Sequence, residues 1–101
     1  MADEATYHVD LPKREGMVGT VLRGHTMGPI KNGWILYFHN NKSAPSDEHL
    51  EQLCIVMTGE GERLVRYLKR GHKPGTFDLL TFSGPPRLDA PVIWAERVLL
   101  I

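Results

Sequence analysis

The sequence lacks several features on which other classes of protein depend. It contains a single cysteine, Cys54, so no disulfide can form within the chain. No stretch approaches the roughly 18 consecutive apolar residues of a membrane-spanning helix, and the N-terminal "MADEATYHVD" has no apolar signal-peptide core. These absences predict a protein of the reducing cytoplasm that makes no membrane contact. We expect Cys54, inside the apolar run "LCIVM", to be a small buried core residue.

An excess of charge of either sign is also lacking. The chain carries 12 basic and 12 acidic residues, and its formal net charge is zero. Free-standing nucleic-acid-binding domains usually show a basic excess, so we expect no direct nucleic-acid binding by this domain alone. The locally basic "RYLKRGHK" at 66–73 is typical of an exposed strand end and turn.

General site motifs are missing as well. The sequence has no Walker A loop, no Rossmann fingerprint and no Gly-x-Ser-x-Gly nucleophile elbow. None of its histidines pairs with another His, Cys, Asp or Glu at a recognised metal-ligand spacing. We therefore expect no metal and no cofactor. The histidines are His8, His25, His39, His49 and His72.

Glycine and proline, in contrast, are plentiful. Ten glycines and seven prolines punctuate short apolar runs, a pattern that predicts one all-β domain of short strands. Gly59-Glu60-Gly61 is predicted to be a hairpin turn, and "SGPPRLDAP" a rigid loop. The predicted strands cover residues 17–23, 34–39, 52–58, 63–69, 77–82 and 92–101.

Two polar stretches complete the predicted organisation. Residues 40–50 predict a loop with a helical turn from Pro45 to Leu50, which Ser43 or Ser46 would cap. Residues 1–16 lack an apolar period and predict a flexible N-terminal arm. The domain itself is predicted to span residues 17–101.

The order of these features resembles the LexA-like serine peptidase family, which includes the C-terminal domains of LexA and cI-type repressors and is related to signal peptidase. The family carries Gly-Asp-Ser-Met-x-Pro, and "GHTMGPIKNGW" follows that order here. "ERLVRYLKRG" stands where the family has a hairpin strand with Val-Lys-Arg-Leu, followed by "KPGTFDLLTFSGPP" and "VIWAERVLLI". The resemblance covers residues 17–101 and implies a β-barrel-like fold of short antiparallel strands.

Both catalytic positions that the resemblance implies are altered. Thr26 stands in place of the family's nucleophilic serine, and Arg66 in place of the lysine that acts as general base. An arginine, with a pKa above about 12, stays protonated in proteins and cannot accept the hydroxyl proton. Lys69 lies three residues beyond Arg66, and an odd offset on a regular strand points to the opposite face. His25 adjoins Thr26, but neighbouring side chains diverge.

The resemblance therefore implies a peptidase fold without peptidase activity. Self-cleaving relatives carry an Ala-Gly or Cys-Gly bond upstream of the serine motif, and residues 1–25 contain no such dipeptide. We expect Thr26 to be a hydrogen-bonded polar group with Arg66 nearby, in a former cleft of the following residues: Gly24, His25, Met27 and Pro29. Met27 and Pro29 are expected to serve packing and turn shape.

The function that this pattern favours is a non-catalytic dimerisation or protein-interaction domain in transcriptional regulation, of the phage-repressor or stress-response type. The closing run "VIWAERVLLI" is apolar on both faces, which invites a partner. We expect a homodimer, or binding to a related repressor. The expected contact residues are Trp94, Val98, Leu99, Leu100 and Ile101.

Two alternatives stay open at this point. The chain could be an active self-cleaving or trans-cleaving peptidase that uses Thr26 with an unusual base. It could also be a peptide-binding domain whose former substrate cleft, beside Thr26, accepts a strand by β-addition.

Overall fold

A computed structural model of the chain describes residues 4–6, 17–99 and 101. Over these residues the protein is all-β, with one short 3₁₀ helix, Asp47–His49, and no α-helix. The described residues therefore include no helix long and apolar enough to cross a membrane. The strands are β1 Glu4–Thr6, β2 Met17–Leu22, β3 Ile35–His39, β4 Leu53–Thr58, β5 Arg63–Arg70, β6 Phe77–Leu80, β7 Arg87–Ala90 and β8 Val92–Arg97.

The strands form two antiparallel sheets. One has the order β1-β2-β3 and the other the order β7-β6-β5-β4-β8. The C-terminal segment links the two sheets, since Val98 N donates to Leu53 O of β4 at 2.9 Å and Leu99 N donates to Tyr37 O of β3 at 2.8 Å. The expected barrel-like closure is corrected to two sheets, because over the described residues the strands do not form a closed barrel.

All six predicted strands are present, and their predicted turns lie between them. The prediction missed β7, which lies inside the predicted loop "SGPPRLDAP". Pro86 and Pro91 bracket this four-residue strand, and proline is a strong signal against sheet. β8 ends at Arg97, earlier than predicted, because the chain there passes from β4 to β3. Ser46, rather than Ser43, lies at the N-cap of the 3₁₀ helix.

The first core lies between the sheets. Alternation along β2 and β3 points Val18, Leu36 and Phe38 inward, towards Ile55 of β4 and Val65 of β5. Phe38 stacks on Trp94, with ring centroids 6.4 Å apart. Met27 and Ile30, from the turn after β2, complete this core.

A second core occupies the other face of the five-stranded sheet. It contains Cys54 and Val56 from β4, with Leu64 and Leu68 from β5. Burial on both faces explains why β4 is a continuous apolar run rather than an alternating one. Cys54 is fully buried, as predicted, and burial raises the pKa of its thiol to about 12.

The predicted N-terminal arm lies largely outside the described residues. Within it, Glu4–Thr6 form β1, which pairs with β2 in a register that places Thr6 opposite Thr20. Leu100 is also outside the described residues.

Candidate functional site

The turn that contains the predicted nucleophile position spans residues 24–30 and is held by one hydrogen bond to a side chain and one within the backbone. Gly24 N donates to Asn32 Oδ1 at 2.9 Å, and Ile30 N donates to Met27 O at 3.1 Å. Gly28 has a φ of 59°, and an added Cβ would lie 2.6 Å from the Phe82 ring. The turn therefore requires glycine at this position both for its backbone angle and for its contact with the loop of residues 81–84.

Thr26 fixes the turn to that loop through its backbone, not its side chain. Its carbonyl oxygen accepts hydrogen bonds from Phe82 N at 2.8 Å and Ser83 N at 3.1 Å. Its hydroxyl Oγ1 is buried and has no hydrogen-bond partner in the described part of the chain. The hydrogen bond expected for Thr26 is therefore absent among these residues, and the hydroxyl is not exposed to a substrate.

Arg66 lies on β5 opposite Cys54 of β4. Its Nη1 donates to the carbonyl oxygen of Val65 at 2.7 Å. Val65 and Tyr67 belong to the core between the sheets, whereas Leu64 and Leu68 belong to the second core, so alternation places Arg66 on the face of the second core. No hydrogen bond joins the Arg66 guanidinium to the Thr26 hydroxyl.

The Tyr67 side chain of β5 contacts the loop of residues 81–84, to which the Thr26 carbonyl is hydrogen-bonded. Its ring meets the Phe82 ring edge-on, with centroids 5.4 Å apart. Phe82 is 53% exposed, although large aromatic side chains are usually more deeply buried. This aromatic pair was not predicted from the sequence, since a lone Phe in a loop carries no periodic signal.

The other former-cleft residues divide between core and surface. Met27 is 1% exposed and packs in the first core, which confirms its predicted packing role. His25 and Pro29 are exposed, and Gly24 is partly buried with a φ of 115°. Lys69 is exposed on β5, opposite Asp78 of β6.

The turn supplies little of what acyl transfer requires. A nucleophilic hydroxyl needs a neutral base within hydrogen-bonding distance and an open approach. The Thr26 hydroxyl has neither among the described residues. Within the same part of the chain, no three His, Cys, Asp or Glu residues gather in a way that could hold a metal ion.

The predicted C-terminal contact residues also divide. Trp94 is 5% exposed, and the Arg63 guanidinium lies 5.4 Å from its ring centroid. Val98 packs partly against the first core. Leu99 and Ile101 remain 42% and 58% exposed, so they are the described residues of this set that a partner could contact.

Ile101 borders an apolar groove of about 420 Å³, which Trp34, Ile35 and Tyr37 line with it. Trp34 is 43% exposed and Ile35 37% exposed. Gly19 lies below the groove, since an added Cβ would come within 2.9 Å of Ile35 Cγ2 and 3.2 Å of Tyr37 Cε1.

Trp34, Ile35 and Tyr37 were not predicted from the sequence as surface residues. Ile35 and Tyr37 alternate with the buried Leu36 and Phe38, so they occupy the outward face of β3. Polar residues would be expected on a solvated outward face. An apolar run such as "WILYF" on a strand at the edge of a sheet was therefore the available signal.

Two carboxylates contact the basic segment at residues 66–73. Arg70 forms an ion pair with Asp47, and Asp89 Oδ1 accepts hydrogen bonds from His72 N at 2.6 Å and Lys73 N at 3.3 Å. Burial raises the pKa of Asp89, but the backbone donors of Lys73 and His72 outweigh it and hold this pKa below its usual range. Asp47 therefore offsets the charge of Arg70, and Asp89 fixes the backbone of the turn at residues 72–73.

Comparisons with family models, with curated proteins and with solved structures return no match for this chain.

Proposed function

We propose that this chain is a non-catalytic peptidase-fold domain of the LexA-like type that acts as a dimerisation or protein-interaction module in transcriptional regulation in the cytoplasm. The partner is a second copy of the chain or a related repressor. The proposal combines the sequence resemblance over residues 17–101 with two structural features. These are the enclosed Thr26 hydroxyl and the exposed apolar groove.

The apolar groove is the observation that carries the interaction role. Among the described residues, three of the seven large hydrophobic side chains that are exposed, Trp34, Ile35 and Ile101, line it. Contiguous apolar surface of this kind is typical of protein contacts. Because the net charge is zero, two copies do not repel each other through their overall charge.

At the edges formed by β3 and β8, contact through side chains is favoured over strand addition. Ser43 O accepts a hydrogen bond from Ala95 N at 3.0 Å on the outer side of β8, and Leu99 occupies Tyr37 O on the outer side of β3. These bonds occupy backbone groups that an added strand would need.

Sedimentation velocity tests the self-association. We expect the wild-type chain to be dimeric at high micromolar concentration and Ile101→Asp to be a folded monomer. Ile93→Asp is the matched control, because Ile93 is 59% exposed but does not line the groove. A monomeric wild-type chain, or equal loss of the dimer in both variants, would contradict the proposal.

Alkaline incubation tests the lack of catalysis. High pH drives self-cleavage in LexA-like enzymes by deprotonating the lysine, and we expect this chain to remain intact by mass spectrometry. The double variant Thr26→Ser, Arg66→Lys should also leave a supplied peptide uncut, since the hydroxyl oxygen at position 26 is enclosed. A specific cut in the wild-type chain would support the peptidase alternative instead.

A second candidate function is peptide binding beside the former cleft. The exposed Phe82 ring, supported by Tyr67, is the observation that favours it. Selection from a peptide library, repeated with Phe82→Ala, tests this function. Peptides that bind the wild-type chain and lose affinity in the variant would favour it over the apolar groove as the contact site.

A further inference from the structure

A polar pocket of about 210 Å³ lies where β3 and β8 end, next to the loop of residues 40–49. It is separate from the turn at residues 24–30. Its lining is mostly polar, whereas the lining of the apolar groove is mostly apolar. Two of its lining side chains, Glu96 and His49, are nine-tenths or more buried, with 7% and 2% exposure.

Glu96 is held by one of its two carboxylate oxygens. Ser43 donates to Oε2 twice, from its backbone N at 2.9 Å and from its Oγ at 2.9 Å. Oε1 accepts no hydrogen bond from any residue in the described ranges. It remains accessible to solvent. One acceptor of a nearly buried carboxylate is therefore open.

His49 is held in the same way. Its Nδ1 accepts a hydrogen bond from Ser46 N at 3.0 Å, so the neutral imidazole carries its proton on Nε2. Glu48 Oε1 lies 4.0 Å from Nε2, which is beyond hydrogen-bonding distance. Nε2 is also accessible to solvent, so its N–H can donate a hydrogen bond to a ligand.

The loop therefore fixes one polar atom of each side chain, each side chain keeps a second polar atom without a partner among the described residues, and both side chains line the same pocket. Glu96 Oε2 attaches the loop to β8 and His49 Nδ1 caps the 3₁₀ helix within the loop, and neither role uses Oε1 or Nε2. A ligand that supplies both partners would gain the free energy of two hydrogen bonds in a pocket that partly shields them from water.

We propose that the polar pocket binds a small neutral molecule that presents a hydrogen-bond donor and an acceptor side by side, of which a carboxamide is the simplest. Its N–H would donate to Glu96 Oε1, and its carbonyl oxygen would accept from His49 Nε2. The Glu96 and Glu48 carboxylates disfavour an anion, the Arg97 guanidinium in the same lining disfavours a cation, and a cation also has no acceptor for the imidazole N–H.

Three probes of similar size and shape test this chemistry on the full chain. Propionamide offers a donor and an acceptor, propionate only acceptors and propylammonium only donors. Titrations followed through the NMR signals of the His49 ring should show propionamide binding at least about tenfold more tightly than either ion. Equal affinities for all three, or tighter binding of an ion, would overturn the proposal.

The variant Glu96→Gln gives a sharper test. Ser43 needs an oxygen acceptor, so the carbonyl of the introduced amide should replace Oε2 and its NH₂ should replace Oε1. The open acceptor becomes a donor, and the preference should move from propionamide to propionate. An unchanged preference in the folded variant would contradict the assigned contact. The wild-type probe series decides the question if the variant does not fold.

Discussion

The turn at residues 24–30 buries its hydroxyl group, whereas the apolar groove exposes its side chains. The Thr26 hydroxyl is buried without a hydrogen bond among the described residues, while Trp34 and Ile101 are large apolar groups in contact with water. Both arrangements are unfavourable for an isolated folded chain. In the turn, the burial of Met27 and Ile30 offsets the cost within the chain. In the groove, a partner that covered the apolar side chains would remove the cost.

The largest expected effect is on the turn's contribution to the core. Met27→Ala removes a side chain that is 1% exposed between the sheets. We expect the free energy of unfolding to fall by about 2–5 kcal/mol, measured by urea denaturation. The neighbouring exposed residue provides the control, and His25→Ala should change stability by less than about 0.5 kcal/mol. A small loss for Met27→Ala would mean that the turn is not part of the core.

The next effect concerns the turn's backbone. Gly28→Ala places a Cβ at a φ of 59°, 2.6 Å from the Phe82 ring. We expect a loss of about 1–3 kcal/mol from the combined strain and clash. Gly33→Ala separates these two causes, because Gly33 has a φ of 91° and no atom within 4 Å of its Cβ position. The loss at Gly28 should exceed that at Gly33, and equal losses would show that the Phe82 contact contributes nothing.

A smaller effect of opposite sign is expected at Thr26. Thr26→Val replaces the unpaired hydroxyl with a methyl group of similar size, so it removes a buried polar group that has lost its water. We expect the variant to be more stable by about 1 kcal/mol. Thr20→Val is the comparison, since Thr20 is fully buried but has a polar partner, and that variant should be destabilised. Destabilisation of Thr26→Val would show that its hydroxyl has a partner after all.

The sequence predicted the strands more reliably than the surfaces. Glycine and proline set the turns, so six strands and the hairpin at residues 59–61 followed from local chemistry. The position of Trp94 did not follow, because an apolar strand can face a core or a partner, and only the stacking on Phe38 decides between them. The polar pocket was unpredictable for a related reason, since Glu96 is 53 residues from Ser43 and reaches the loop of residues 40–49 only through the pairing of β4 with β8.

The smallest expected effect on stability should accompany a large effect on association. Trp34→Ala removes a 43% exposed side chain, and we expect the unfolding free energy of the monomer to change by only about 0.5 kcal/mol. Tryptophan is, however, typical of residues that dominate the free energy of protein contacts, so the dimer should weaken by at least about 2 kcal/mol, or roughly thirtyfold. Unfolding must be measured at low concentration, because dimerisation itself stabilises the folded state.

Leu88→Ala is the control, since Leu88 is 62% exposed on β7 and does not line the groove. If Trp34→Ala and Leu88→Ala affect association equally, the groove is not the contact surface. If Trp34→Ala instead unfolds the monomer, Trp34 acts in folding, and the contrast between an inward turn and an outward groove is lost.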